Sequence, residues 1–513
     1  MHIPLLSLML AIPAGGFALL LLTPKNAGRF HQTTALILSF VVMVLSLVLL
    51  RSFSINADFQ FVEHYALLPK WGIWYYLGVD GISLFLVLLA SMLSPIVVLC
   101  SYKYITKTTR EYYALLLLLE CAIIGALVAL DAVVFYIFWE LMLIPMFFII
   151  GIWGGSRRIY ATIKFVIFTL SGSLLMLIAL IYLIGKTSSG GAPTCSIPDL
   201  STIHLSIREQ CWLFAAFAFA FAIKVPLFPL HTWLPDAHVE APTGGSVVLA
   251  GVLLKMGVYG FLRLAFPLFP DAIRLFAPLF TALGVIAVIY GALVALVQDD
   301  AKKLVAYSSV SHMGLVVLGL FVFSIEGTQG SIYQMLSHGI STGALFLIVG
   351  MLYERRHTRL FSELGGIAKS APLMAVALML TVLSSVGLPG LNGFIGEFLL
   401  LLATFKSSVL LGSLAASGVV LSAVYLFRFY QKIMFGPITI PENASLPDLS
   451  RREGIILVPL IVLFVVMGFF PGPILQRTQP AVEKLIEQTR RTAVCNAQDT
   501  TTGQSYSFGA HHD

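Results

Sequence analysis

Glu140 stands in the run Phe138-Trp139-Glu140-Leu141-Met142-Leu143-Ile144-Pro145, and Lys255 in Leu253-Leu254-Lys255-Met256. Glu120 ends the run Leu115-Leu116-Leu117-Leu118-Leu119-Glu120, Lys224 precedes Val225-Pro226, and Glu397 follows Phe394-Ile395-Gly396. His312 in Ser311-His312-Met313-Gly314 and His338 in Leu336-Ser337-His338-Gly339 add two imidazoles. A charge at the centre of a membrane helix costs on the order of 2.5–3.5 kcal/mol on insertion scales, so such residues persist where they have a partner or a task. Carboxylate, amine and imidazole are the side chains that pass protons, and the approach and separation of a carboxylate and a lysine is a switch that loads and unloads one. The bland alternatives are a static ion pair for Glu140 and Lys224, carbonyl-satisfied core histidines, and an interface carboxylate for Glu120. Lys255 has no acidic residue in its own helix, so a static partner must come from elsewhere. Lys164 and Arg428 lie near helix ends, where long side chains reach the membrane surface.

The elements that must position these groups are transmembrane helices. The chain has 513 residues, of which 58% are hydrophobic and 11% charged; a soluble domain carries about a quarter charged residues. Apolar windows of roughly 20 residues, the length that crosses a bilayer, recur along it. They fall at about 3–22, 32–50, 80–101, 112–130, 131–153, 160–185, 210–230, 242–265, 273–298, 302–323, 328–352, 372–402, 408–435 and 453–474, which predicts an all-α polytopic membrane protein of about 14 transmembrane helices. The first window lacks a basic leader and a cleavage signature and reads as a retained helix.

Two windows are interrupted. Lys224-Val225-Pro226-Leu227-Phe228-Pro229-Leu230-His231-Thr232-Trp233-Leu234-Pro235 holds three prolines, and Val386-Gly387-Leu388-Pro389-Gly390-Leu391-Asn392-Gly393-Phe394 holds one with several glycines. Neither can be a continuous helix, and broken helices at membrane depth are tolerated only where protein or a watered cavity satisfies the freed backbone. The breaks lie five helices apart, an odd offset that predicts two inverted repeats, each containing a broken helix. The expected organisation is residues 1–111 as N-terminal helices with a surface loop, 112–266 as the first repeat, 267–436 as the second, 437–475 as the last transmembrane helix and 476–513 as a polar tail. Short hairpin or amphipathic elements occupy the loops: Phe53 to Phe61 alternates like a strand, 187–209 is a polar loop, the tail after Gly472 turns amphipathic, and Gln498 to Asp513 reads as disordered.

Basic residues divide unequally between the faces. Lys25, Arg29, Lys103, Lys107, Arg110, Arg157, Arg158, Lys302, Lys303, Arg355, Arg356, Arg359, Lys369, Arg451 and Arg452 fall on one side; Arg51, Lys70, Lys186, Arg208, Arg274 and Lys406 fall on the other. The positive-inside rule makes the first face cytoplasmic, and an even helix count puts both termini on the opposite side. The net charge of +6 sits in these loops and suits a lipid surface, not nucleic acid. Cys100, Cys121, Cys195, Cys211 and Cys495 show no metal-ligand or cluster spacing, and there is no dinucleotide-binding glycine fingerprint or phosphate loop. No redox centre or cofactor of the chain's own is expected.

With these residues in place the sequence resembles the antiporter-like membrane subunits of the proton-translocating NADH–quinone oxidoreductase, respiratory complex I. The resemblance spans nearly all helices. Its most specific part is Pro229-Leu230-His231-Thr232-Trp233-Leu234-Pro235-Asp236-Ala237-His238-Val239-Glu240-Ala241-Pro242-Thr243 leading into Gly244 to Lys255, supported by Phe138 to Met146, Lys302 to Gly314 and Leu391 to Phe398. The Ala-His-Val-Glu-Ala-Pro-Thr continuation resembles the M-type members more than types L and N. The resemblance implies that Glu140 is the essential carboxylate of the fifth helix, Lys224 its paired lysine in the broken seventh, Lys255 the central lysine of the eighth, His312 and His338 relay groups of the tenth and eleventh, and Glu397 the exit carboxylate of the broken twelfth. It also implies proton pumping driven by quinone reduction in partner subunits, with FMN, iron–sulfur clusters and quinone held there, and neighbours that include antiporter-like chains L and N and small membrane subunits. Glu120 matches no family position. A subunit of a multi-subunit sodium/proton antiporter shares most of the motif and stays open as an alternative, as does a scaffold whose buried charges are static pairs.

Overall fold

A computed structural model describes residues 4–188 and 193–502. Among the described residues, twelve helices are long and apolar enough to cross a membrane. In chain order they are α1 (Leu5–Leu22), α2 (Gly28–Ser52), α3 (Gly81–Tyr104), α4 (Thr109–Val128), α5 (Ala132–Trp153), α6 (Arg158–Ser188), α8 (Thr243–Leu268), α9 (Pro270–Leu296), α10 (Ala301–Leu320), α11 (Ile325–Arg356), α13 (Val409–Met434) and α14 (Arg451–Phe469). The two interrupted windows form α7, split into Ile207–Lys224 and Trp233–Glu240, and α12, split into Pro372–Val386 and Asn392–Ser407. Together they give the fourteen passages expected. A last helix, α15 (Gly472–Thr502), follows; the expected disorder from Gln498 therefore does not extend to 498–502, which are helical, while 503–513 lie outside the described residues.

Side-chain caps begin many of the helices and fix where they start. The Asp80 carboxylate accepts from the backbone N–H groups of Ile82 and Ser83 while Ser83 closes the reciprocal bond, and Ser206 with Glu209 and Ser450 with Glu453 do the same for α7 and α14. Asp131 caps α5 through Val133 and Val134, and Asp300 caps α10 through Lys302 and Lys303. Each of these two aspartates also lies in an isolated antiparallel bridge, Asp131 with Ser196 and Asp300 with Leu360. The first bridge joins the start of α5 to the loop after α6, and the second joins the start of α10 to the loop after α11.

Burial sorts the helices by task. All of the apolar window of α8 and of α11 is buried, and 89% of that of α10, against 28% for α2 and 33% for α13. The peripheral helices turn large apolar side chains outward, among them Ile37, Phe40, Ile163, Ile178 and Val420, as a surface bathed in lipid or covered by neighbouring subunits requires. The wholly buried helices are those that carry Lys255 and His338. Polar side chains are affordable there only because other side chains, not lipid, surround them.

Strands β1 (Gln60–Leu68) and β2 (Ile73–Val79) make the expected hairpin, paired antiparallel with Tyr65 opposite Tyr75 and Ala66 opposite Trp74. It starts seven residues later than the alternating run at Phe53, because residues 54–59 are spent on a polar turn in which Gln60 donates to the Ser54 carbonyl at 2.6 Å. The Glu63 carboxylate on β1 accepts from the free Leu6 N–H of α1 at 2.8 Å, and the Asp131 carboxylate accepts from Trp74 at 2.9 Å. Amphipathic α15 buries Ala481, Val482, Leu485 and Ile486 against this same face, and Lys484 reaches Asp58 at 3.1 Å. Both ends of the described chain thus lie on one side. The loops around Tyr104, Gly155, Ala241, Lys302 and Arg359 meet on the other.

Two helices depart from regularity beside the residues of interest. α5 is interrupted at Met142, two residues after Glu140; Pro145 has no N–H to offer the Leu141 carbonyl, and its ring crowds it. α8 opens into wide π-helical turns at Leu249–Leu253 and Phe261–Ala265, on either side of Lys255, an irregularity that recurs at functional sites.

Candidate functional site: a row of titratable side chains in the helix core

The break in α12 is built first, since it sets Glu397. Gly387 ends the first half in the left-handed conformation at φ +78°, which glycine alone adopts without cost, and a Cβ there would also collide with the Glu397 carboxylate. Asn392 then stitches the break to α11: the Ser384 hydroxyl donates to its Oδ1 at 2.6 Å, and Ser337, next to His338, donates to its carbonyl at 2.9 Å. The break is therefore satisfied by protein side chains and carries Glu397 into the core beside α10 and α11.

Four of the seven residues singled out in the sequence come together in a row, within which His338 Nε2 has no hydrogen-bond partner. Lys255 is 0% exposed; its Nζ donates to the Ala250 carbonyl of the π-turn and lies 2.7 Å from His338 Nδ1. The His338 and His312 rings are 5.6 Å apart between centroids, and His312 Nδ1 lies 3.4 Å from Glu397 Oε1. Gln334 donates to the same carboxylate oxygen at 3.4 Å, and the Tyr425 hydroxyl lies 3.5 Å from His312 Nε2. The four groups come from four different helices, and all are buried. Each imidazole can take a proton on one nitrogen and release one from the other, so the row is chemically able to relay protons between an amine and a carboxylate.

Glu140 and Lys224 are neighbours of a different kind. They make no ion pair within 4.0 Å; Lys224 Nζ sits 4.9 Å from the centre of the Trp139 ring, and Glu140 Oε1 is buried with no hydrogen-bond partner. Electrostatic interaction between them remains. The expected pair is thus not in contact, and the ring face of the tryptophan that precedes the glutamate takes the ammonium. Between Lys224 and Lys255 the helices α7 and α8 meet backbone to backbone at Gly257, where a Cβ would lie 2.6 Å from the Phe221 carbonyl. Lys164, near the start of α6, donates to Asp236 at 2.7 Å and ties α6 to the second half of α7.

Sequence reading passed over three residues that the fold brings to this core. His238 is fully buried, stacks on Phe346 at 4.5 Å, has no hydrogen bond to either ring nitrogen, and interacts electrostatically with Lys255 and Lys302. Lys302, counted as a loop charge, is buried and donates to the Ala241 carbonyl at 2.6 Å. Glu240 receives the Arg157 N–H at 2.9 Å. Lys302 and Glu240 line a cavity of ≈ 180 Å³ with Tyr104, Tyr353 and Arg359, ample for several waters. The signal for His238 was its place in Asp236-Ala237-His238-Val239-Glu240, directly after the break. On the hairpin face Arg263 of α8 pairs with Asp80 at 2.6 Å and donates to the Tyr259 hydroxyl at 3.0 Å, which pins the end of α8. Cys100, Cys121, Cys195 and Cys211 are free thiols, and no group of three or more His, Cys, Asp or Glu placed to hold a metal occurs among the described residues.

A core of buried acids, amines and imidazoles strung across broken and π-distorted helices defines an antiporter-like polytopic membrane subunit. Residues 129–423 match the family described as NADH:quinone oxidoreductase/Mrp antiporter, TM. The NADH-quinone oxidoreductase subunit M of Rickettsia bellii (strain RML369-C) is 44% identical over 497 residues, covering 95% of this chain and 99% of the relative. A chain of the solved structure of respiratory complex I from Thermus thermophilus with bound NADH superposes with a TM-score of 0.86 at 35% identity, covering 94% of this chain and 99% of that one. A chain of the Mrp complex from Dietzia sp. DQ12-45-1b superposes with a TM-score of 0.81 at 22% identity, covering 96% of this chain and 56% of that one, and shares the fold alone. The chain belongs to the NADH:quinone oxidoreductase/Mrp antiporter family, among the M-type subunits of NADH–quinone oxidoreductase. It is a proton-translocating, multi-span subunit of the membrane arm of complex I and part of that multi-subunit enzyme. The sodium/proton antiporter alternative gives way, since the likeness to the Mrp complex is distant and partial in that chain.

Proposed function

We propose that protons cross this subunit along Glu140, Lys224, Lys255, His338, His312 and Glu397, with Lys255 as the switching centre. The observation that carries the reading is the close succession of Lys255, His338, His312 and Glu397 in the buried core. Glu140 modulates the row from a distance: when its carboxylate moves toward Lys224 the ammonium is held charged, and when it moves away the amine can release its proton. The kink at Met142 and the break after Lys224 are the soft points at which such a movement costs least. The cavity beside Lys302 and Glu240 supplies the row from the basic face.

The two aspartate-capped bridges support an organisation in inverted repeats. Asp131 and Asp300 occupy the same place in their units, five helices apart, yet lie on opposite faces. The repeats are 112–266 and 267–436. By the excess of Lys and Arg the Lys302 face is cytoplasmic, and both described ends of the chain lie on the periplasmic side of a bacterial inner membrane. The redox centres that drive pumping (FMN, iron–sulfur clusters and quinone) reside in partner subunits, and the exposed apolar faces of the peripheral helices meet lipid, chains L and N, and small membrane subunits.

Replacing Glu140 by Gln in the intact complex tests the reading. The variant complex should assemble and contain all its subunits, while proton pumping in proteoliposomes is lost; full pumping by that variant would contradict the assignment.

A further inference from the structure

Helix α13 lies at the edge of the bundle and most of its apolar window is exposed, yet Tyr425 on it is 0% exposed and brings its hydroxyl to the row. Gly418, two turns earlier on the same face, lets α13 come this close, since a Cβ there would strike Val288 of α9. The two nitrogens of His312 meet different partners. Nδ1 lies 3.4 Å from Glu397 Oε1, and Nε2 lies 3.5 Å from the Tyr425 hydroxyl. A neutral imidazole carries one proton, so the nitrogen that holds it decides which of the two neighbours meets a donor.

Beyond the tyrosine stands Ser308, four residues before His312 and so on the same face of α10. Its side chain lies within interaction distance of the Tyr425 hydroxyl, and its own proton is spent on the Val305 carbonyl at 2.7 Å. A carbonyl can only accept. The serine oxygen therefore has lone pairs alone to offer the tyrosine, and the phenol proton turns to the serine. What the phenol oxygen then presents to Nε2 is a lone pair, which that nitrogen satisfies only by carrying hydrogen. The polarity runs one way, from His312 Nε2–H to Tyr425 O–H to Ser308 O–H to the Val305 carbonyl.

We propose that Tyr425 is a positioning residue that holds His312 in its Nε2–H tautomer, so that Nδ1, the nitrogen beside Glu397, is the one that takes and gives protons. This rests on reading the row as a proton path. A proton arriving on Nδ1 makes the ring an imidazolium, whose Nε2–H bond to the phenol oxygen is charge-assisted, and the 3.5 Å separation leaves room for that bond to shorten. In the step to Glu397 the Nδ1–H bond breaks as an O–H bond forms on the carboxylate. His312 returns to its neutral Nε2–H form and Glu397 becomes a neutral acid, so charge balances. Tyr425 and Ser308 keep their own protons throughout. With the opposite polarity the phenol proton would occupy Nε2 while Nδ1 carried the proton of the ring, and His312 could accept none.

The test uses the complete complex, purified and reconstituted in proteoliposomes, as wild type, Tyr425→Phe, Ser308→Ala, the double variant and His312→Gln. The rate of NADH-driven proton pumping should fall roughly tenfold in Tyr425→Phe, the scale of a lost hydrogen bond to a charged group. Ser308→Ala should also slow pumping, because the phenol proton then turns to Nε2 and closes the ring to incoming protons. That variant keeps the proposal testable where Tyr425→Phe fails to assemble. The double variant should pump no more slowly than the slower single one, since both changes act through the same chain. In infrared spectra of the complex grown with isotope-labelled histidine, the imidazole band missing from His312→Gln should be that of the Nε2–H tautomer in the wild type and of the Nδ1–H tautomer in Ser308→Ala. Wild-type pumping in either assembled single variant, rate losses that multiply in the double, or an Nδ1–H band in the wild type overturns the assignment of Tyr425. Wild-type pumping in His312→Gln overturns the row itself, whereas pumping lost there and undiminished in Tyr425→Phe overturns the positioning role alone.

Discussion

The residues that matter here are recognisable by what they lack. Lys255 has no counter-ion in contact; its company is a carbonyl and a histidine, and in the proposed path its charge depends on a proton passed to or from His338. Replacing His338 by Leu should therefore interrupt the row while leaving Lys255 bonded to Ala250; proton pumping should be lost, and quinone reduction by the assembled complex should slow where it is coupled to pumping. Replacing Arg263 by Met is the contrasting case. It leaves Asp80 as an unpaired buried carboxylate, and breaking such a pair costs about 3–5 kcal/mol, so the complex should lose thermal stability without a specific loss in the ratio of protons to electrons. At this scale much was legible: Glu140, Lys224, Lys255, His312, His338 and Glu397 each stood out as a titratable group inside an apolar run. What the sequence withheld was distance. Nothing in Phe138-Trp139-Glu140 says that the indole ring, and not the carboxylate, takes the Lys224 ammonium, and Lys302 read as a loop charge because burial at a helix start depends on which loops cover it.

At the scale of elements, irregular backbone and chemistry coincide. Glu140 precedes the interruption of α5, Lys224 ends the first half of α7, Lys255 lies between two π-turns, and Glu397 follows the break in α12. The prolines and glycines made two of these places visible beforehand, since Pro226 and Gly387 each have a local steric consequence, while the interruption of α5 ahead of Pro145 was passed over. The π-turns of α8 had no such mark, because a π-turn arises from how a helix packs and not from a residue that forbids the α-helix. Gly387 offers a direct check. Gly387→Ala forces a left-handed residue with a Cβ, at about 1–2 kcal/mol, and drives that Cβ into the Glu397 carboxylate. The displaced carboxylate should no longer reach His312, so pumping should fall far more than thermal stability does. A variant with unchanged pumping and lowered stability would mean that the break serves architecture alone.

At the scale of the whole molecule the buried helices α8, α10 and α11 form an interior that carries Lys255, His312 and His338 inside a shell of more exposed apolar helices, with a cavity of ≈ 180 Å³ on the face rich in lysine and arginine. Composition and hydropathy revealed the shell and the helix count, and the hairpin and amphipathic tail were visible as alternation in the loops. The inverted arrangement was suggested by the spacing of two breaks, and the matched bridges of Asp131 and Asp300 give it a second footing. Single cysteines introduced at Arg359 and at Asp58 should be labelled by an impermeant maleimide from opposite sides of oriented vesicles; labelling of both from one side would contradict the two-faced arrangement. The central claim is that the row through Lys255 carries the protons. Its most direct measurement is the number of protons pumped per NADH oxidised by the purified Lys255→Ala complex in proteoliposomes. The account predicts a complete, correctly assembled complex whose pumping is lost, and an undiminished ratio would contradict it.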